Sequence, residues 1–400
     1  MLTGSKRKNK IRVAFLSLGS KEWTASLHYM RNLLFAVSSL EDSLIEPVVL
    51  TGTKVDKNLV DPLAPYATII RSSLFDKKSF WWFVWRIVFY LTGSNIIISK
   101  FLKKNSIQVI SHSGITENKL PFKTINWIPD FQHVHLPEMF SIKENSIRNI
   151  QFKKIIKDSD AVIVSSHDAL DDLQKFMPGY EKKINVVNFV SQPSPKSHGS
   201  KADVLSRIEG KYSFSGKFFY LPNQFWKHKN HISVFKSVSI LKDEGKEVLL
   251  LCSGHMDDYR NTDHVSMLTD FIQTHNLEKN IRLLGLIDYG DVFLLIRHSL
   301  AVINPSLFEG WSSTVEECKS MGKGMILSDL NVHKEQNPSK SVFFSPLDIH
   351  ELAGILRSYW DEEDEGPDLD LEKKARNELP KRTRDFGRAY QNVVLDLYKS

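Results

Sequence analysis

Cysteine is scarce. The 400 residues hold two, Cys252 and Cys318, with no CxxC pair and no spaced Cys/His set. A disulfide framework and a zinc site are both excluded, and a reducing, cytosolic compartment is the default. Long hydrophobic runs are missing too. The most apolar stretch, Phe80 to Leu91 (FWWFVWRIVFYL), is twelve residues with Arg86 in its middle, against about 20 for a helix that spans a bilayer. Ile11 to Leu18 is too short and strand-like for the core of a signal peptide, so the chain is expected to stay in the cell. With 42% hydrophobic and 25% charged residues, disordered, collagenous and coiled-coil chains are ruled out. The length suggests two to three domains at about 150 residues each.

Charge is present but unevenly spread. Residues 1–200 carry 27 Lys+Arg against 17 Asp+Glu, and residues 201–400 carry 26 against 30. A basic half suits an anionic neighbour: a phospholipid surface, a phosphorylated acceptor or nucleic acid. Nucleic acid is the weakest of these, since the basic residues are dispersed and no recognition motif occurs. A helix over Phe80–Leu91, apolar on nearly every side, reads most simply as buried core. The other reading is an interfacial anchor, with Lys77, Lys78, Arg86, Lys100, Lys103 and Lys104 meeting anionic lipid.

Short runs rich in branched residues alternate with helical patterns throughout. In the first half they are Ile11–Leu18, Val48–Leu50, Thr68–Ile70, Val109–Ser111, Thr124–Ile128, Ala161–Val164 and Ile184–Val187. In the second they are Phe218–Leu221, Val248–Cys252, Ile281–Leu284, Leu300–Asn304, Met325–Leu327 and Val342–Phe344. The alternation predicts an α/β protein of two doubly wound, Rossmann-like parallel sheets facing a central cleft. The polar stretch Ser191–Lys201, broken by two prolines and a glycine, marks the linker. Residues 1–195 are then an N-terminal Rossmann-like domain and residues 196–380 a C-terminal one. The last helix, about Lys381 to Tyr398, is expected to pack back on the first domain. Asp368-Leu369-Asp370 lies in the acidic run Asp361–Asp370 and reads as solvated loop rather than a metal-binding DxD.

Open α/β sheets bind ligands at the carboxyl ends of their strands. After Leu300–Asn304 comes Pro305-Ser306-Leu307-Phe308-Glu309-Gly310-Trp311-Ser312-Ser313-Thr314-Val315-Glu316-Glu317. Ser313 and Glu316 have capping-box spacing, predicting a helix from 314 to near Gly322. Its free amides, with the hydroxyls of Ser312, Ser313 and Thr314, suit a phosphate or diphosphate. Glu317, one turn in, leans back toward the same place as Glu309. Ionised carboxylates accept hydrogen bonds from hydroxyls, so an anion site flanked by two of them fits a diphosphate between two polyols, a nucleotide sugar. The plainer reading is a helix-dipole role for Glu317 and a solvated loop for Glu309.

Glu309, seven intervening residues and Glu317, inside PSLFEGWSSTVEECKSMGKG, resemble the E-x7-E motif of retaining glycosyltransferases with the GT-B fold. The chain is similar to the family-four, group 1 transferases of bacterial surface polysaccharides, mannosyl and rhamnosyl types among them, over nearly its whole length. The resemblance implies that Glu309 and the adjacent Gly310 and Trp311 meet the donor sugar, and that Glu317 holds the ribose. In Tyr220–His231 (YLPNQFWKHKNH) it implies that Lys229 grips the donor diphosphate. Many relatives have an arginine six residues before that lysine; this chain has Asn223, and Lys227 is a candidate for the second charge. His228 and His231, three apart, lack a third metal ligand nearby.

Trp127-Ile128-Pro129-Asp130-Phe131-Gln132-His133-Val134-His135-Leu136-Pro137-Glu138 is similar to the family's WIPDFQHxHLPE stretch. It implies that His133 lies beside the reaction centre, with His135 one position away. Gly19 occupies the place of the glycine-rich loop at the first strand end. Ser253, Gly254 and Leu286 fall where the nucleotide base is expected, and Ser165 and Ser166 also follow a strand.

The expected activity is transfer of a glycosyl group from a nucleoside diphosphate sugar to a glycan or polyprenyl-diphosphate-linked acceptor, with retention and with neither metal nor cofactor. The expected setting is cytoplasmic, peripheral at the inner face of the membrane. The rivals are a phosphorylase, an epimerase and a catalytically silent GT-B scaffold subunit of a polysaccharide assembly complex.

Overall fold

The structure is a computed structural model, and it describes residues 10–16, 24–115, 121–193, 201–364 and 366–399. The expected linker, Ser191–Lys201, lies mostly outside the described residues. The chain divides into two compact units. The first comprises Met1–Asp130, Ser146–Val190 and Lys381–Ser400, and the second Phe131–Asn145 and Ser191–Pro380. Phe131–Asn145, which the sequence reading gives to the first domain, thus groups with the second. Arg260 accounts for it: its guanidinium lies 4.6 Å from the Phe140 ring and donates to Gln132 Oε1 at 3.4 Å.

The first unit holds a seven-stranded sheet of β1 (Ile11–Leu16), β2 (Ile45–Thr51), β3 (Thr68–Arg71), β4 (Val109–Ser111), β5 (Lys123–Trp127), β6 (Ala161–Val164) and β7 (Ile184–Val186), in the order β3-β2-β1-β4-β5-β6-β7. The second holds β8 (Phe219–Leu221), β9 (Leu250–Ser253), β10 (Ile281–Gly285), β11 (Val302–Asn304), β12 (Met325–Ser328) and β13 (Ser341–Phe344), in the order β10-β9-β8-β11-β12-β13. The paired strands are all parallel. Helices cover both faces, so the central strands are continuous apolar runs, as Ala161–Val164 and Met325–Ile326–Leu327 are, fully buried. In the second sheet the chain winds outward from β8, then returns to its other side at β11. The loops after β8 and β11 therefore part at the topological switch point, where doubly wound sheets open a crevice for ligand.

Two elements depart from the sequence expectation. The apolar helix forms, over Phe80–Thr92, capped by Ser79 Oγ on the Trp82 amide at 3.1 Å and ended by Gly93 at φ +65°. It is not core: none of its residues is buried. It packs on Ser73–Phe75 and on the helix Ile96–Lys104, with Trp85 Nε1 donating to Asn95 Oδ1 at 2.8 Å, and its other side faces out. The last helix begins earlier than expected, at Leu369, and runs to Asp396. Asp368 Oδ1 caps it on the Leu371 amide at 3.0 Å, and Asp370 and Glu372 favour its first turn through the helix dipole. Pro380, which looks like a boundary, sits inside it.

From Lys381 this helix belongs to the first unit, where Tyr390 Oη donates to Ser111 Oγ at 2.7 Å and both residues are buried. Gly387 lets it approach the backbone of the helix Thr24–Ser38: a Cβ there would lie 2.4 Å from the Ala36 carbonyl oxygen. Gly387→Ala is expected to destabilise the protein by about 1–3 kcal/mol, as overpacking does. Gly354→Ala, in the helix Ile349–Glu362 with open space around its Cβ, should stabilise by about 0.5–1 kcal/mol. Thermal melts of the two variants check the pair.

Candidate active site

The loop after β11 is held by one buried amide. Asn304 Nδ2 donates to Ser312 Oγ at 2.8 Å, while its Oδ1 accepts from Asn223 Nδ2 at 3.1 Å and lies 2.7 Å from Ser306 Oγ. Ser312, rather than Ser313, is the N-cap, its Oγ accepting from the Val315 amide, and the helix runs Ser313–Met321. Gln336 decides that register by binding the backbone of Ser312 twice: Oε1 accepts from its N–H at 3.1 Å and Nε2 donates to its carbonyl at 3.0 Å. Glu316 closes no capping box; it is buried against Lys319 and Gln336, at 3.2 Å from each. The helix geometry leaves the Ser313 and Thr314 amides without intrahelical partners. Of the three hydroxyls expected there, only Ser313 is on an exposed residue; that of Ser312 serves the cap, and that of Thr314 donates to Asn223 Oδ1 at 3.2 Å.

Glu309 and Lys229 come together from the two loops at the switch point. Lys229 Nζ lies 2.6 Å from Glu309 Oε1, with the side chains 18% and 9% exposed. Ser306 Oγ also reaches that oxygen, at 2.7 Å. Burial pushes the Glu309 carboxyl up, but the Lys229 ammonium and the Ser306 hydroxyl outweigh it and hold the group below its usual value. Among the described residues every hydrogen bond to Glu309 falls on Oε1, which leaves Oε2 with acceptor capacity toward them. Lys229 is set by the turn Lys227–Lys229, which ends in Asn230 at φ +55° with its side chain on the carbonyls of Pro305 and Pro346. Lys227 is exposed, its amide bound to Asp258 Oδ2 at 3.0 Å.

Asn223 uses both ends of its amide on Asn304 and Thr314. It positions the loops instead of presenting a charge. Gly254 lies against the same loop: at φ +155° its hypothetical Cβ would sit 2.3 Å from the Asn223 carbonyl oxygen, so only glycine fits. Ser253 is buried against Tyr220 Oη at 2.5 Å, and Leu286 is exposed.

Glu317 occupies a drier setting. It is buried, accepts from Tyr289 Oη at 2.9 Å, and burial pushes its pKa to about 7. His133 is buried, stacked on Phe131 and edge-on to Phe140. His135 is exposed, its ring 4.9 Å from that of Phe308, next to Glu309. Gly310 and Trp311 are half-buried beside it. Gly19 lies outside the described residues.

Residues 209–379 match the family model of glycosyl transferases group 1. That stretch lies within the second unit, and the chain is a glycosyltransferase. Among curated proteins the transferase is similar to the O-antigen chain mannosyltransferase RfbU of Salmonella typhimurium, 22% identical over 280 residues, 69% of this chain and 70% of that one. Among solved structures it is similar to a glycosyltransferase of Rickettsia africae (TM-score 0.66, 15% identity, covering 98% of this chain and 100% of that one). It is also similar to Anabaena Alr3699/HepE solved with UDP and glucose (TM-score 0.67, 14% identity, covering 98% and 100%). The fold is GT-B, with its two parallel-sheet α/β domains.

Asn304, Ser306, Tyr289 and Gln336 escape sequence reasoning in this transferase. Asn304 and Ser306 had a signal, being polar residues at a strand end, but Tyr289 and Gln336 reach the site from segments with no motif. The raised Glu317 group yields a test. Its carboxyl has a usual value of 4.5 unfolded and about 7 folded. Its stabilising protonated form is complete below 4.5, and that contribution is lost as pH rises through 7. Glu317→Gln should therefore gain in melting temperature over the parent as pH rises from about 4.5 to 7, levelling off at about 3 kcal/mol above that. A gap independent of pH would contradict the assignment.

Proposed function

We propose that this transferase moves a sugar from a nucleoside diphosphate sugar to a hydroxyl of a glycan or polyprenyl-diphosphate-linked acceptor, with the anomeric configuration retained, in surface polysaccharide synthesis. The observation that carries the reading is the half-buried Lys229–Glu309 ion pair at the switch point, with a buried carboxyl, Glu317, on the adjoining helix. The mannosyltransferase named among its relatives supports the polysaccharide setting.

In this reading the diphosphate takes the ammonium of Lys229 and the open amides of Ser313 and Thr314. As the anomeric carbon–oxygen bond breaks, negative charge grows on the departing phosphate oxygen, and a positioned ammonium in a dry site stabilises that growth more than the ground state. Lys229 and the helix N-terminus supply this without a divalent metal. Glu309 Oε2 accepts from a donor-sugar hydroxyl, and Glu317 from the ribose. The acceptor oxygen bonds to the anomeric carbon on the face the phosphate leaves, and its proton passes to the leaving phosphate oxygen. A double displacement would need a carboxylate beneath the anomeric carbon, and in this reading Glu309 and Glu317 are engaged by hydroxyls. A polyprenyl-linked acceptor puts the work at a membrane surface.

The first test is melting of the protein with uridine, guanosine, thymidine, adenosine and cytidine diphosphates and their sugars, in EDTA. A ligand at a hundred times its dissociation constant adds about 2.7 kcal/mol. A shift with one base, lost in Glu317→Gln, is expected. No shift with any nucleotide would overturn the donor site and favour the silent scaffold. With donor and acceptor in hand, Lys229→Met should lower kcat about 10²–10³-fold, the usual cost of one charge-stabilising group, and NMR of the product linkage reads the configuration.

A further inference from the structure

We propose that the helix Phe80–Thr92, with the cationic ends around it, docks in the headgroup region of an anionic bilayer. Eight of the twenty exposed large hydrophobic residues among those described lie between Phe80 and Ile96, with Tyr90 88%, Leu91 74% and Phe80 72% exposed. Phe80, Phe83, Ile87, Tyr90 and Leu91 recur at helical spacing along one side, so they form a continuous ridge about 20 Å long. A soluble surface rarely carries such a patch without a use for it.

The chemistry around the ridge selects the occupant. Lys77, Lys78, Arg86, Lys100, Lys103 and Lys104 are all exposed, and no Asp or Glu occurs from Lys77 to Ile115. Asp76, just before them, is buried with its carboxylate turned onto the Thr53 hydroxyl and the Thr53 and Lys54 amides. The exposed charge around the ridge is therefore all positive. Arg86, the only charge within the helix, lies with its guanidinium 5.6 Å from the Trp82 ring centre, its stem lying along apolar surface. Tryptophan, tyrosine and phenylalanine favour the headgroup boundary, and lysine and arginine favour anionic lipid. Among the described residues no helix is long and apolar enough to cross a membrane, so docking is in the plane of the interface.

The test is flotation of the full chain with vesicles of phosphatidylcholine alone and with phosphatidylglycerol added. Binding to the anionic vesicles, weakened by salt, is expected, and the triple variant Phe80→Ser, Ile87→Ser, Leu91→Ser should lose about tenfold or more of it. Replacing Lys100, Lys103 and Lys104 by Gln should weaken binding to anionic vesicles alone. Unchanged melting of the triple variant separates lost docking from lost folding, and no nucleotide is needed, so failure here is independent of the donor-site test. Absent binding to either vesicle, or equal binding by the triple variant, overturns the proposal. So does a dimer in solution that the triple variant converts to monomer, which would assign the ridge to a second copy of the chain.

Discussion

A carboxylate and an ammonium, both largely out of water, hold two loops of the second unit to one another at Glu309 and Lys229. Such a pair is a poor source of stability, because desolvating two ions costs about as much as their attraction returns. Its value lies in geometry. Once Lys229 is tied to one oxygen of Glu309, the loops after β8 and β11 have a fixed spacing, and the remaining polar groups must satisfy one another inside it. Asn304 does so by reaching Ser312 on one side and Asn223 on the other, and Asn223 reaches Thr314 on the helix that carries Glu317. The second unit thereby holds its charged groups already arranged, as a preorganised polar site does.

The two glutamates of one motif live in opposite environments. Glu309 has a cation and a hydroxyl on it and stays ionised, whereas Glu317 has one tyrosine hydroxyl and a dry surrounding that raises its pKa to about 7. Environments that push paired carboxyls apart usually divide their roles. Glu309 is built to remain a constant acceptor. Glu317 costs least when empty and protonated, and a pair of hydroxyl donors would repay its ionisation.

Thirteen strands were legible, because branched apolar runs between helical patterns have few alternatives in a parallel sheet. Glu309, Lys229 and Glu317 were legible for a different reason, since they follow strands and carry a family's spacing. The burial of Phe80–Thr92 was misread because hydrophobicity reports what a surface would prefer to touch, and water is one of several candidates. The helix start at Ser313 was misread because its cap is chosen by tertiary partners, Asn304 and Gln336, which select Ser312; the start at Leu369 was misread although its cap, Asp368, is local, because the acidic run around it reads as loop and Pro380 reads as a boundary. His133 and His135 could not be told apart in the sequence, since alternation says nothing of which one a short helical turn buries.

Gln336 treats Ser312 as a neighbouring strand would, giving one amide hydrogen and taking another. Its remaining hydrogen goes to Glu316, so both donor hydrogens of the side chain are committed. A ladder made by backbone persists whatever residues are written along it. This rung hangs on a single codon, and the alignment of the helix end at Ser312 is therefore inherited through one amide side chain twenty-four residues away.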